Sequence, residues 1–187
     1  MSIVIKTGVI LKNSARELKN LLSLTFCGLL LAIRTILGYL TVLVVPTVKL
    51  GFAFAPTAVA GIMYGPVPAA LIGGLGDVLS YVFNPVGGSY FPGFTLNGII
   101  IGMIYGFFFY NKKLTLLRVI ICEVIIIVFV ELLLSSLWLV IMFGNAYIAV
   151  LASRLLKAVI MLPIDVSVIM LFYKPAVALK KHSLARR

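Results

Sequence analysis

The stretch at residues 21–45, LLSLTFCGLLLAIRTILGYLTVLVV, carries a single charged side chain, Arg34. A helix crossing a hydrocarbon core about 30 Å thick needs roughly 20 mainly apolar residues, and this run supplies them with a margin. It is longer than the core of a secretory signal, about 7–15 residues, and no clear small-residue cleavage site follows it, so it reads as a first membrane span. Five more apolar runs lie at 51–64, 67–83, 94–110, 114–143 and 146–173. The breaks between them carry turn-forming residues: Gly65-Pro66, the run Asn84-Pro85-Val86-Gly87-Gly88, Asn111-Lys112-Lys113 and Gly144-Asn145. The expected fold is an all-α integral membrane bundle of six spans in one domain over 1–187, with 1–20 as an N-terminal segment and 174–187 as a basic tail. The 51–64 run is short for a span and is expected to be tilted or partly unwound.

Composition leads to the same class. Of 187 residues 63% are hydrophobic, more apolar side chain than a soluble domain of this length can bury. A net charge of +11 in a soluble protein would suggest nucleic acid; here the basic residues sit mostly at the ends of apolar runs, where they orient a membrane protein instead. Lys6, Lys12, Arg16 and Lys19 precede the first run, Lys112, Lys113 and Arg118 flank the fourth break, and Lys174, Lys180, Lys181, Arg186 and Arg187 follow the last run. Six spans place all three clusters on one side, and the positive-inside rule makes that side, with both termini, cytoplasmic. The expectation is a multi-pass protein of the cell membrane. Cys27 and Cys122 lie within apolar runs without metal-ligand spacing and read as small packing residues.

Arg34, Lys49, Arg154 and Lys157 fall instead in or near the outer halves of spans. A charge at the bilayer centre costs about 2.5–3.5 kcal/mol on insertion scales, so such residues face a protein-lined cavity or a partner. Four cations toward one side suggest an outward-facing anion site. Asp77 follows three glycines, Gly73, Gly74 and Gly76, which permit close helix approach. It is either a ligand acceptor or the structural partner of Arg34 or Arg154. The segment Ser89-Tyr90-Phe91-Pro92-Gly93-Phe94-Thr95-Leu96-Asn97 combines aromatics with an irregular Pro-Gly pair and suits either a pocket lid or an interfacial anchor. Gly28 and Ala32 form a small-xxx-small pair that admits a close helix from the same chain or from another subunit. Glu123, near Arg118, and Asp165, just past Pro163, read as structural; Glu131 reads as a cavity-lining acid. The separation of these acids argues against a carboxylate-pair catalyst. There is no phosphate loop, no His-Glu-x-x-His, and one histidine, His182. The chain is expected to be a binding and transport protein without a cofactor, not an enzyme or an ATPase.

These residues resemble the substrate-binding S components of energy-coupling factor (ECF) vitamin transporters, and among them the folate-specific branch. The resemblance covers nearly the whole chain. It rests on Asn84-Pro85 through Tyr90-Phe91-Pro92-Gly93-Phe94-Thr95-Leu96, on Gly102-Met103-Ile104-Tyr105-Gly106, on Gly65-Pro66 with Gly73-Gly74-Leu75-Gly76-Asp77, and on Arg154-Leu155-Leu156-Lys157 with Pro163. It implies a six-helix subunit that captures folate or a derivative from outside and works with a transmembrane T component and two ATPases. In that family an Ala-xxx-Ala pair on the first helix docks onto the T component; here Gly28 replaces the first alanine and Ala32 is retained.

With a folate as ligand, Arg34, Lys49, Arg154 or Lys157 can meet its glutamate carboxylates. Asp77 can accept the paired pterin donors, while Tyr81, Phe91, Phe94 or Trp138 can stack on the rings. The residues 45–51, Val45-Pro46-Thr47-Val48-Lys49-Leu50-Gly51, and the segment Phe91-Pro92-Gly93-Phe94 can close together over it. Rival readings are an S component for thiamine, riboflavin or biotin, and a stand-alone carrier driven by protons through Glu131 or Asp165. A membrane enzyme ranks behind both, for lack of a nucleophile and base.

Overall fold

The computed structural model describes residues 2–40, 42–45, 48–83, 90–144 and 147–185. Its elements are helix α1 (Ser2–Glu17), α2 (Leu21–Tyr39), strands β1 (Val42–Val45) and β2 (Val48–Leu50), and helices α3 (Phe54–Tyr64), α4 (Pro66–Phe83), α5 (Pro92–Phe109) and α6 (Leu116–Ile125). A π-helical segment (Ile126–Leu134), α7 (Ser135–Phe143) and α8 (Tyr147–Ala185) follow. The loop positions 46–47 and 84–89, Asn145, Arg186 and Arg187, all singled out in the sequence, lie outside the described residues, as does the side chain of Lys49.

Five helical stretches are long and apolar enough to cross a membrane: Leu21–Tyr39, Pro66–Phe83, Pro92–Phe109, Leu116–Met142 and Lys157–Lys180. Many of their large apolar side chains face outward, around a buried core that is itself apolar. The buried residues of α2 are Ser23 and Cys27, whereas Leu24, Leu29 and Ile36 are exposed, the arrangement expected where lipid is the solvent. Asn20 caps α2, its carboxamide oxygen accepting from the N–H of Leu22 at 2.9 Å.

Several boundaries differ from the apolar runs. The first run leaves the helix after Tyr39, and Val42–Val45 pairs antiparallel with Val48–Leu50. Helix α3 has 11 residues, about 16 Å at 1.5 Å per residue, too short to span alone. Nine of those residues are buried, so α3 sits in the protein interior, packed by α4, α5 and α8. The segment before residue 21 is helical, and the last span continues as helix through Ala185 with Pro163 and Pro175 inside it.

Helices α4 and α5 make the closest contact. A Cβ on Gly73 would run into the carbonyl of Gly98, one on Gly102 into Ala69, and one on Gly106 into Pro66. The pairs 98 with 73, 102 with 69 and 106 with 66 describe an antiparallel crossing at four-residue spacing, the small-residue packing that lets backbones meet in lipid.

One end of the bundle gathers both chain ends. Buried Ser14 of α1 donates to the Tyr64 carbonyl at 2.8 Å and accepts from the Val67 N–H at 3.0 Å. It thereby fixes the turn at Gly65, whose φ of 90° favours glycine. Lys180 near the end of α8 donates to Asn111 Oδ1 at 2.8 Å and lies over the Tyr110 ring. The opposite end carries the hairpin, the C-terminal ends of α4 and α7, and the N-terminal ends of α5 and α8. The two cysteines are free and buried, in keeping with packing roles.

The crossing gives a direct test. Gly98→Val forces a branched side chain against the Gly73 backbone and is expected to cost roughly 1–3 kcal/mol, seen as a lower thermal midpoint of the detergent-solubilised protein. Gly28→Leu, at a position where a Cβ meets nothing within 4 Å, is expected to leave the midpoint unchanged; equal losses in both would reject this account of the crossing.

Candidate functional site

The first turns of α5 organise the hairpin end. Phe91 is extended, with φ −127° and ψ 118°, so Tyr90 and Phe91 point to opposite sides. Pro92 opens the helix at a position where its missing N–H costs nothing. Tyr90 packs on Tyr81 of α4 with ring centroids 5.3 Å apart. Phe91 instead packs against Trp138 of α7 at 5.6 Å and edge-on to Phe94 at 6.2 Å. Gly93 is required there: a Cβ would meet the Phe91 ring and the Trp138 indole.

The polar residues divide the same way. Thr95 donates to Asp77 Oδ2 on α4 at 2.8 Å, and its hydroxyl lies 2.7 Å from the Tyr90 hydroxyl. Two residues on, buried Asn97 faces the other flank. Its carboxamide donates to Ser135 Oγ at 2.8 Å and accepts the Trp138 indole N–H at 3.1 Å.

A third group joins the π-helical segment to α8. Glu131 Oε2 lies 2.7 Å from Lys157 Nζ and 3.6 Å from Arg154 Nη1. Arg154 Nη1 also donates to the Glu131 carbonyl at 3.0 Å. Runs of i→i+5 turns are rare and concentrate at functional sites. Here the Ser135 N–H bonds to Val130, five residues back, and Glu131 turns both its carbonyl and its carboxylate to α8. Arg154 and Lys157 sit about 10 and 15 Å along α8 from Tyr147, a depth at which charge needs such a partner.

Arg34 belongs to none of these groups. Its guanidinium donates to the Ala53 carbonyl at 2.9 Å, to the Gly73 carbonyl at 3.1 Å and to the Thr57 hydroxyl, tying α2 to α3 and α4. A Cβ on Gly76 would collide with that side chain. The structure thus gives Arg34 a scaffold position and sets it apart from Arg154 and Lys157. Lys49 lies on β2, which packs against α8. Glu123, read as structural, is buried and hydrogen-bonded to Tyr105, while Arg118 donates to the Lys113 carbonyl at 2.5 Å. Gly28 and Ala32 lie on a face of α2 that is exposed among the described residues.

Asn97 and Ser135 were not singled out as site residues, although an amide inside an apolar run is itself a signal of a polar contact in the membrane. Ser135 and Trp138, three residues apart, both turn to α5, whereas Glu131 turns to α8. A separate apolar cavity of about 380 Å³ between α1, α4 and α5 touches these groups only at Thr95.

A family model described as "ECF transporter, substrate-specific component" matches residues 22–173. The chain belongs to this family. It is 44% identical over 124 residues to the folate transporter FolT of Clostridium novyi, covering 66% of this chain and 72% of that one. It is 31% identical over 148 residues to the FolT of Leuconostoc mesenteroides, covering 75% and 78%. A crystal structure of FolT bound with folic acid superposes with a TM-score of 0.77 at 32% identity, covering 83% of this chain and 95% of that one. As an ECF substrate-specific component with several apolar helices, the chain is a multi-pass membrane transport protein. The three groups at its hairpin end offer flat aromatic faces, neutral and acidic hydrogen-bond acceptors, and paired cations.

Because this substrate-specific component has one tryptophan, the Asn97 contact is separately measurable. Asn97→Leu leaves the indole N–H and the Ser135 hydroxyl without that partner. It is expected to cost about 1–3 kcal/mol and to shift Trp138 emission; an unchanged spectrum would contradict the Asn97–Trp138 contact.

Proposed function

We propose that this chain is the folate-capturing subunit of an ECF-type transporter in the cell membrane. In this reading it crosses six times, with α3 and the hairpin completing the second crossing, and has both termini in the cytoplasm. The observation that carries the reading is the arrangement at the hairpin end, where Ser135 and Trp138, which meet Asn97 and Phe91 at the start of α5, stand on the same continuous helical stretch, Leu116–Met142, as Glu131, itself paired to Arg154 and Lys157. Folate has the matching chemistry: flat pterin and benzoyl rings and a glutamate with two carboxylates. The FolT relatives and the folic acid complex of a similar fold support it.

The rings lie against Phe91 and Trp138, with Pro92, Gly93 and Phe94 shaping that wall. Arg154 and Lys157 take the glutamate carboxylates, Arg154 with the planar fork suited to them. Asp77, oriented by Thr95 and flanked by Tyr81, accepts the pterin amino group and ring N–H. Lys49 adds positive charge from the hairpin, and Arg34 holds the wall on which Asp77 stands. ATP hydrolysis is left to two ATPase partners coupled through a T component, which docks on the open Gly28–Ala32 face of α2. The pairing of Glu131 with Arg154 and Lys157 favours this over a proton-driven carrier that uses Glu131.

Isothermal titration of the purified chain with folate, thiamine, riboflavin and biotin tests the substrate. One-to-one binding of folate alone is expected, with quenching of Trp138 fluorescence, and Asp77→Asn is expected to weaken it about 10-fold or more, the worth of one charge-assisted hydrogen bond. Binding of another vitamin in its place would overturn the folate assignment, and full affinity in Asp77→Asn would remove Asp77 from the pterin site.

Docking is tested by folate uptake in cells supplying the T component and ATPases. Gly28→Leu fills the open face of α2 and is expected to abolish uptake while titration of the purified variant still gives the parent affinity. Normal uptake would place the docking surface elsewhere.

A further inference from the structure

The Glu131 carboxylate serves two cations with one oxygen. Its Oε2 is in hydrogen-bonding range of Lys157 at 2.7 Å, but 3.6 Å from Arg154 Nη1 is an ion pair without a hydrogen bond. Arg154 is 8% exposed, and its Nε is buried with no hydrogen-bond partner. The guanidinium therefore has a donor to spare, directed into protein and away from water. Arg34 also has a buried Nε without a partner, but its other guanidinium donors are bonded to two carbonyls and a hydroxyl, whereas Arg154 faces a carboxylate to which it makes no hydrogen bond.

Charge counting adds a second constraint. Arg154, Lys157 and Glu131 sum to one positive charge, and Asp165 of α8, which acts electrostatically on Lys157 and Glu131, adds no positive charge to that total. A ligand bearing two carboxylates would turn that into an excess negative charge if Glu131 kept its place, with like charges crowded in a low-dielectric interior. Removing Glu131 altogether would leave two bare cations within an apolar bundle whenever the site is empty. A transport subunit exists empty as well as loaded, so both conditions apply to one protein.

We propose that Glu131 is a resident carboxylate that occupies the Arg154–Lys157 pair in the empty protein and is exchanged for a carboxylate of the ligand. This rests on the folate reading for the identity of the ligand, and on the ion-pair geometry for the exchange. No covalent step is involved: the ligand carboxylate takes over the Lys157 ammonium and fills the Arg154 fork, while the Glu131 side chain rotates off the pair. The π-helical turns that carry Glu131 are suited to this, since their backbone is already displaced from regular α-geometry. The exchange also makes the site selective, because a ligand without a carboxylate has nothing to offer the two cations in place of Glu131.

The test is isothermal titration of the parent and Glu131→Gln with three probes: folate, N-(4-aminobenzoyl)-L-glutamate, which has the carboxylates without the pterin, and 6-methylpterin, which has no carboxylate. The glutamine removes the competing charge and keeps the side-chain shape. Exchange predicts that Glu131→Gln binds folate and the aminobenzoyl-glutamate about 10-fold more tightly than the parent, for one lost competing ion pair, with 6-methylpterin unchanged. Equal or weaker binding of both carboxylate probes would overturn it and make Glu131 a group that positions the cations. Should Glu131→Gln lose binding of all three probes and its thermal transition, Glu131→Asp keeps the charge on a shorter arm. It is then expected to bind both carboxylate probes more tightly than the parent, and failure to do so would again overturn the exchange. If the parent binds no folate, the folate reading falls by itself. Tighter aminobenzoyl-glutamate binding by Glu131→Gln would still support the exchange, and no carboxylate binding by either protein would refute it.

Discussion

Everything at the hairpin end depends on how closely α4 and α5 approach. Lipid supplies little driving force for helix association, so the contact rests on packing and on backbone atoms brought into reach. Gly73, Gly98, Gly102 and Gly106 remove the side chains that would otherwise hold the helices apart. That approach sets the heights of Asp77 on one helix and Thr95 on the other within hydrogen-bonding distance. It also fixes the direction of the α5 N-terminus, and through the extended backbone at Phe91 it decides that Tyr90 turns to α4 and Phe91 to α7.

The buried cations meet their desolvation in two ways. Arg34 uses its planar fork on a backbone carbonyl and a hydroxyl at the start of α3 and on a carbonyl of α4, which holds the short α3 against its longer neighbours. Gly76 makes room for that side chain, so the glycines of α4 serve both the crossing and the arginine. Arg154 and Lys157 instead share a carboxylate. The first arrangement is local and closed; the second depends on one side chain that an incoming anion can imitate.

The apolar runs and the Gly-Pro and Asn-Lys-Lys breaks were enough to read a helical membrane bundle from the sequence, because a span demands a length and a polarity that few other structures share. Hydropathy is blind to geometry, however. Residues 40–45 are as apolar as those before them, yet Val42–Val45 pairs as a strand. Depth along the chain made Arg34 and Arg154 look equivalent, and only the surrounding acceptors separate them. The outward face of Gly28 and Ala32 was open to two readings because spacing alone does not say whether a neighbour belongs to the same chain. Glu131 read as a cavity-lining acid; the π-helical turns that direct it to Arg154 and Lys157 of α8 leave no mark in a periodicity counted at 3.6 residues.

The two ends of the bundle also differ in the kind of bond that holds them. At the end carrying the termini, most of these bonds tie side chain to backbone: Ser14 to Tyr64 and Val67, Lys112 to the Phe107 carbonyl, Arg118 to the Lys113 carbonyl, with Lys180–Asn111 and Ser23–Glu17 joining side chains. The bonds to backbone cannot change partners without disturbing a helix end. At the hairpin end the contacts of Thr95 with Asp77, Asn97 with Ser135, Trp138 with Asn97 and Lys157 with Glu131 join side chain to side chain. A ligand that supplies equivalent donors and acceptors can replace one member of each pair while the helices keep their backbone bonds. In the proposed reading, recognition falls at the end where partners can be exchanged at the cost of rotamers, and the opposite end keeps the frame.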